Sequence, residues 1–170
     1  MKVLFFLFAF ATFTFSCANS KKALEGDPSD AYGAFQPVDK GDSLFASIER
    51  TFCFGTCPVY VFKINNDGTA SYEGVRNVKR MGTYSAKVTP AQMNELIEVA
   101  KSIGYMDFKD KYDNESITDL PSTTTSIVID GKRKEVMRRY QFPKEIKVLE
   151  DAFDVLIETL DWKLEKAPEM

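Results

Sequence analysis

The chain has 170 residues, a length that suits one domain, and 44% hydrophobic with 28% charged residues is an ordinary globular balance. A net charge of −3 argues against nucleic acid as a partner, because neutralising phosphates takes a strongly basic surface. There is no histidine, which removes the commonest general base and the commonest metal ligand together.

Lys2 supplies a positive start, and Val3 to Phe15 is an almost unbroken apolar run ending at Ser16 and Cys17. Roughly a dozen apolar residues is too short for a bilayer span, which takes about 20, so residues 1–16 read as a signal peptide. Cys17 after Thr14-Phe15-Ser16 resembles a bacterial lipoprotein box, in which the cysteine is lipidated and becomes the new N-terminus. That reading makes the membrane a partner through a lipid anchor, with the domain on the cell envelope, at the outer membrane and facing the periplasm. The competing reading uses Ser16 and Ala18 as a small-x-small site, with cleavage before Asn19 and a soluble periplasmic or secreted product. Residues 17–42 hold Cys17 and then a stretch rich in Ser, Lys, Asp, Gly and Pro without periodicity, expected as a flexible tether. Its end-to-end distance is roughly 25–30 Å for a random chain.

The expected domain covers residues 43–162. Leu44, Ala46 and Ile48 alternate with Phe45, Ser47 and Glu49 and predict a strand. Val59 to Ile64 predicts a second, Asn65-Asn66-Asp67-Gly68 a turn, Thr69 to Val75 a third strand and Gly82 to Val88 a fourth. A helix follows, with Thr89 as cap, Pro90 at its first position, Gln92 completing a capping box and Gly104 as its stop. Thr125 to Ile129 and Lys132 to Tyr140 flank Asp130-Gly131 as a hairpin. Pro143 opens a last helix, whose stripe is Ile146, Leu149, Phe153, Leu156, Ile157 and Leu160. Residues 163–170 read as a polar C-terminal tail. The resulting expectation is an α+β two-layer sandwich, mainly antiparallel, of order ββββ-α-ββ-α with the helices on one face.

Cys53-Phe54-Gly55-Thr56-Cys57-Pro58 is the most distinctive local feature. Residues four apart in an extended strand lie roughly 13 Å apart, whereas a disulfide allows only about 4.4–6.8 Å between Cα atoms, so the segment must turn. Gly55 permits the turn and Pro58 restarts extended chain. Outside the cytoplasm a Cys53–Cys57 disulfide is then expected as a structural staple. The alternative is thiol-redox or copper(I) handling through the same pair.

This motif, with Ser43-Leu44, Glu49-Arg50-Thr51, Val59-Tyr60, Asp67-Gly68 and Tyr72-Glu73-Gly74, resembles an uncharacterised exported bacterial domain, the domain of unknown function 6438 family. The likeness continues through Val78, Gly82, Tyr112, Thr118-Asp119-Leu120-Pro121 and Gly131-Lys132 to Lys134 and Val136, with Phe52 where proline is expected. The resemblance implies export and domain limits of about 43 to 162; it implies no activity and no catalytic residues.

Thr118 and Asp119 lie in a long loop, and loops carry function disproportionately, although an Asp there also shapes turns. Asp107, Asp110, Asp113, Asn114 and Glu115 lack the spacing of a calcium loop and read as solvated charge. Lys132, Arg133, Lys134, Arg138 and Arg139 make a basic hairpin, read as edge protection. Tyr60, Phe62, Tyr72 and Tyr84 read as one sheet face. Tyr60, Thr118, Asp119 and Arg138 form the candidate functional surface. No nucleophile–base pair, cofactor motif or metal-ligand set is legible, so the expectation is a non-enzymatic binding or structural module with an envelope-protein partner.

Overall fold

A computed structural model describes residues 43–117 and 119–168. Its elements are β1 (Leu44–Arg50), β2 (Val59–Asn65), β3 (Thr69–Arg76), β4 (Gly82–Lys87), α1 (Pro90–Ser102), β5 (Lys111–Tyr112), β6 (Thr123–Ile129), β7 (Lys132–Arg138), α2 (Ile146–Thr159) and β8 (Lys163–Lys166). A single 3₁₀ turn, Tyr105–Asp107, follows α1. The signal peptide, Cys17, the tether and the cleavage point before Asn19 lie outside the described residues, as does Thr118.

The expected α+β sandwich of order ββββ-α-ββ-α is corrected. The structure is mostly one large mixed sheet of eight strands, ordered β5-β7-β6-β1-β2-β3-β4-β8, with two helices. Two strands escape the sequence pattern for a physical reason. β5 has two residues, too few to show a period-2 alternation, and it runs parallel to β7, which makes the sheet mixed. All four residues of β8 are exposed, so no apolar alternation marks it; backbone pairing with β4 makes the strand where a polar tail was expected. Sheet order also departs from chain order, because the chain passes through α1 before β6 pairs with β1.

Register explains the core. Cross-strand partners share a face, so the pairs Ala46–Ile64, Ile48–Phe62, Phe62–Tyr72 and Ala46–Ile127 put one apolar row under cover. Glu49, Lys63, Ser71 and Glu73 occupy the opposite parity and are exposed. A bulge between Leu44 and Ala46 lets both Phe45 and Ala46 be fully buried. Phe153 of α2 meets Phe62 edge-on, and Met93, Leu96 and Ala100 of α1 join the same core. The β2–β3 turn needs Gly68: its φ is +76°, and a Cβ there would stand 2.5 Å from the Val88 carbonyl oxygen. α1 carries the capping box in full, with Gln92 N–H donating to Thr89 Oγ1 and Thr89 N–H to Gln92 Oε1. Pro143 opens a turn rather than a helix; α2 proper starts at Ile146.

Candidate functional site

Strand parity brings charge into the covered face at one end of the sheet. Arg50 continues the row of Ala46 and Ile48, and it pairs with Tyr60 on β2 and Thr123 on β6. On α2, Glu150 occupies the buried stripe between Ile146 and Phe153, with Asp154 one turn on. The two surfaces therefore meet through ions.

Arg50 donates from Nη1 to Glu150 Oε2 at 3.2 Å, from Nη2 to Asp154 Oδ2 at 2.7 Å and from Nε to Tyr60 OH at 3.0 Å. Tyr60 OH in turn donates to Asp154 Oδ1. Arg138 grips Glu150 with both Nε, at 2.6 Å from Oε1, and Nη2. The guanidinium of Arg138 stacks 4.6 Å above the Phe142 ring. Glu150 is only 1% exposed and would be prohibitively placed without both arginines. A neighbouring set closes the end of α2: Lys79 and Arg80, from the β3–β4 loop, both reach Glu158.

The electrostatics follow from these contacts. Burial pushes the Arg50 guanidinium down, but Tyr60, Asp154 and Glu150 outweigh it and leave the group raised. Burial drives the Tyr60 phenol well above its usual range, with Arg50 opposing and Asp154 reinforcing, so it remains a neutral donor. Burial likewise pushes Tyr72 up to about 12. Hydrogen bonding from Lys79, helped by Arg80, holds Glu158 below the usual carboxylate range.

Above the network is an open cleft of about 470 Å³. Lys147, Asp151 and Pro58 join the ion pairs in lining it. Beside Pro58 stands the Cys53–Cys57 disulfide, with Cα atoms 5.8 Å apart. Gly55 N–H donates to the Cys53 carbonyl at 2.9 Å, and Asn77 Nδ2 donates to the Cys57 carbonyl at 3.1 Å, bracing the loop against the β3–β4 loop.

Of the residues singled out in the sequence, Tyr60 and Arg138 come together in the cleft. Asp119 lies on the exposed loop before β6 and does not line the cleft. The aromatic row is packed, with Tyr60 stacked on Tyr72 at 5.4 Å and Tyr72 against Tyr84. The basic hairpin is neutralised piecemeal: Arg138 by Glu150, Arg139 by Asp113 and Lys134 by Asp110. Those pairings also engage two of the acids considered for calcium. Among the described residues no group of three or more His, Cys, Asp or Glu is placed to hold a metal ion.

Arg50, Glu150 and Asp154 were missed. The signal was present: an arginine on the buried parity of a strand and a glutamate on the buried stripe of a helix are each costly alone and signal a partner.

A family model described as Domain of unknown function (DUF6438) matches residues 45–157. No curated protein matches the chain.

Proposed function

From a chain that belongs to the family of domain of unknown function DUF6438, we propose a non-enzymatic binding module of the cell envelope. It is anchored by a lipid on Cys17 and uses the charged cleft as its recognition surface. The observation that carries the reading is the fixed pairing of Arg50, Arg138, Glu150 and Asp154 beneath an open hollow. Side chains already held in one geometry lose little entropy when a ligand arrives, which favours recognition. The same pairing disfavours catalysis: a phenol raised by burial and carboxylates engaged by guanidinium groups make poor nucleophiles and bases. Lys147 and Asp151, exposed at the rim one helical turn apart, offer charges of both signs to a ligand.

Two measurements test this. A photo-crosslinking residue at Lys147 should capture a reproducible envelope component in cells, and Asp151→Lys should abolish the capture without lowering stability. Repeated failure to capture anything sinks the binding role. The Cys17→Ser chain should leave the membrane fraction after a carbonate wash; its retention overturns the anchor. A Cys53–Cys57 potential below roughly −300 mV fits a staple, whereas about −120 to −200 mV would move the function to thiol exchange.

A further inference from the structure

The floor of the cleft holds a hydroxyl that bonds to nothing in the fold. Tyr72 is 4% exposed, and its ring packs against Tyr60, Tyr84 and Trp162. Its neighbour Tyr60 bonds to Arg50 and Asp154 through its own hydroxyl, but the Tyr72 oxygen has no hydrogen-bond partner among the described residues. That oxygen is not sealed in. It opens on the cleft, with Arg80, Glu158 and Asp154 as its charged neighbours. A phenylalanine would make the same ring contacts, so the oxygen serves only what occupies the cleft, and burying it without a partner is costly.

Charge around the cleft is balanced. The cations are Arg50, Lys79, Arg80, Arg138 and Lys147; the carboxylates are Glu150, Asp151, Asp154 and Glu158. Ion pairs within the fold engage all of them except Lys147 and Asp151, which are one of each sign. A ligand with net charge of either sign would meet its own sign along much of the lining. Aliphatic lining is confined to Pro58, Val78 and Ile157, which gives an apolar ligand little to bury against. An extended peptide would look for an unpaired strand edge, yet β1, β2 and β3 are each paired on both sides.

A polyhydroxyl ligand meets none of these objections. Each of its hydroxyls both donates and accepts, so adjacent ones can be bridged by a carboxylate and a guanidinium together. The paired side chains keep that capacity: Asp154 remains 44% exposed, and each of its oxygens takes only one bond within the fold. The cleft's volume of about 470 Å³ lies within the range of small-molecule sites.

We propose that the cleft binds a short neutral oligosaccharide, with the Tyr72 hydroxyl bonded to one of its oxygens and the Asp154 and Arg80 side chains addressing its neighbouring hydroxyls. The proposal rests on the binding-module reading and supplies the class of its ligand.

The test applies the full chain, in a detergent without a sugar headgroup, to a printed array of neutral, sulfated and sialylated glycans. Neutral glycans should be retained, and calorimetry on the best of them should show an affinity that added salt changes by less than about twofold. Tyr72→Phe should weaken that glycan about threefold to tenfold, as for the loss of one hydrogen bond, while Tyr84→Phe, outside the cleft, should not. Tyr72→Phe should unfold at the same urea concentration as the parent, which separates lost binding from lost fold. Retention of no neutral glycan, or a Tyr72→Phe chain that binds as tightly as the parent, overturns the proposal. Retention of sulfated or sialylated glycans alone, abolished by salt, overturns it in favour of an anion. Shifts of the Tyr72 ring resonances with glycine betaine but with no neutral glycan overturn it in favour of a zwitterion. Should crosslinking at Lys147 still capture an envelope component while no glycan is retained, the cleft's binding role stands and only the ligand class falls; failure of both removes the binding-module reading as well.

Discussion

Glu150 is the residue on which the charged end of the fold turns. A carboxylate 1% exposed is tolerable only while Arg50 and Arg138 both address it. Those arginine side chains are themselves only 16% and 13% exposed, so the triad is held with little solvent to screen it. Glu150→Ala should lower stability by about 3–5 kcal/mol, the scale for breaking a buried pair and stranding its partner. Urea unfolding measures it directly. A loss under about 1 kcal/mol would mean that the arginines rearrange to water or to Asp154, as surface pairs do. The network was half legible in the chain. Parity put Arg50 on the buried face and the 3.6-residue stripe put Glu150 on the buried side of α2, but neither pattern could say that these two charges face each other. That contact spans a hundred positions of sequence.

At the scale of elements, the disulfide loop shows how a short motif fixes a connection. Cys53 and Cys57 close a loop so small that its chain-entropy contribution is only about 2 kcal/mol. Replacing both cysteines with serine should therefore leave the sheet folded with its unfolding free energy, read from urea titration, reduced by that amount. Amide exchange at Gly55, whose N–H is held by the Cys53 carbonyl, should accelerate at the same time. Global unfolding of the double variant would show instead that the loop organises β1 and β2 together. β2 and β3 could be placed from strand composition and the turn between them, α1 from its capping box and α2 from its apolar stripe, although the start of α2 could not, since Pro143 opens a turn and no side chain caps the helix. β5 and β8 could not, since backbone hydrogen bonds to a neighbouring strand create them and carry no side-chain code. Missing those two strands and the sheet order is what turned the expected sandwich into an error.

For the whole molecule, the groups displaced in the folded state predict a stability plateau with two edges. Glu158 is held low chiefly by its bond from Lys79. At Asp113 burial works to raise the carboxyl, and Arg139 and Lys111 overcome it. For depressed acids the stabilisation is present above the unfolded value of about 4 and is lost as pH falls through the folded one. Tyr60, Tyr72 and Tyr105 are all raised, with burial the leading cause in each. For raised phenols the stabilisation is intact below the unfolded value of about 10 and disappears as pH climbs through the folded values. Unfolding free energy should thus be flat between about pH 5 and 9, fall gently in acid and fall steeply in alkali. Ultraviolet absorbance checks the alkaline edge: these three phenols should ionise with unfolding, not before it, and early ionisation would refute their burial.

Some properties needed nothing beyond the order of residues. Local signals determined the capping box of α1, the glycine turn at Gly68 and the bend at Gly55, because each depends on a few neighbouring dihedral angles and hydrogen bonds. Side-chain alternation likewise marked the covered row of β1, Ala46 and Ile48 against Ser47 and Glu49. Only the tertiary structure decided that β5 and β8 extend the sheet, that Arg50, Arg138 and Glu150 converge, and that Phe52 and Phe54 stay bare at the end remote from Leu44. The reason is common to all three: pairing and burial are relations between distant segments, and one-dimensional periodicity records a residue's face but not what stands across from it.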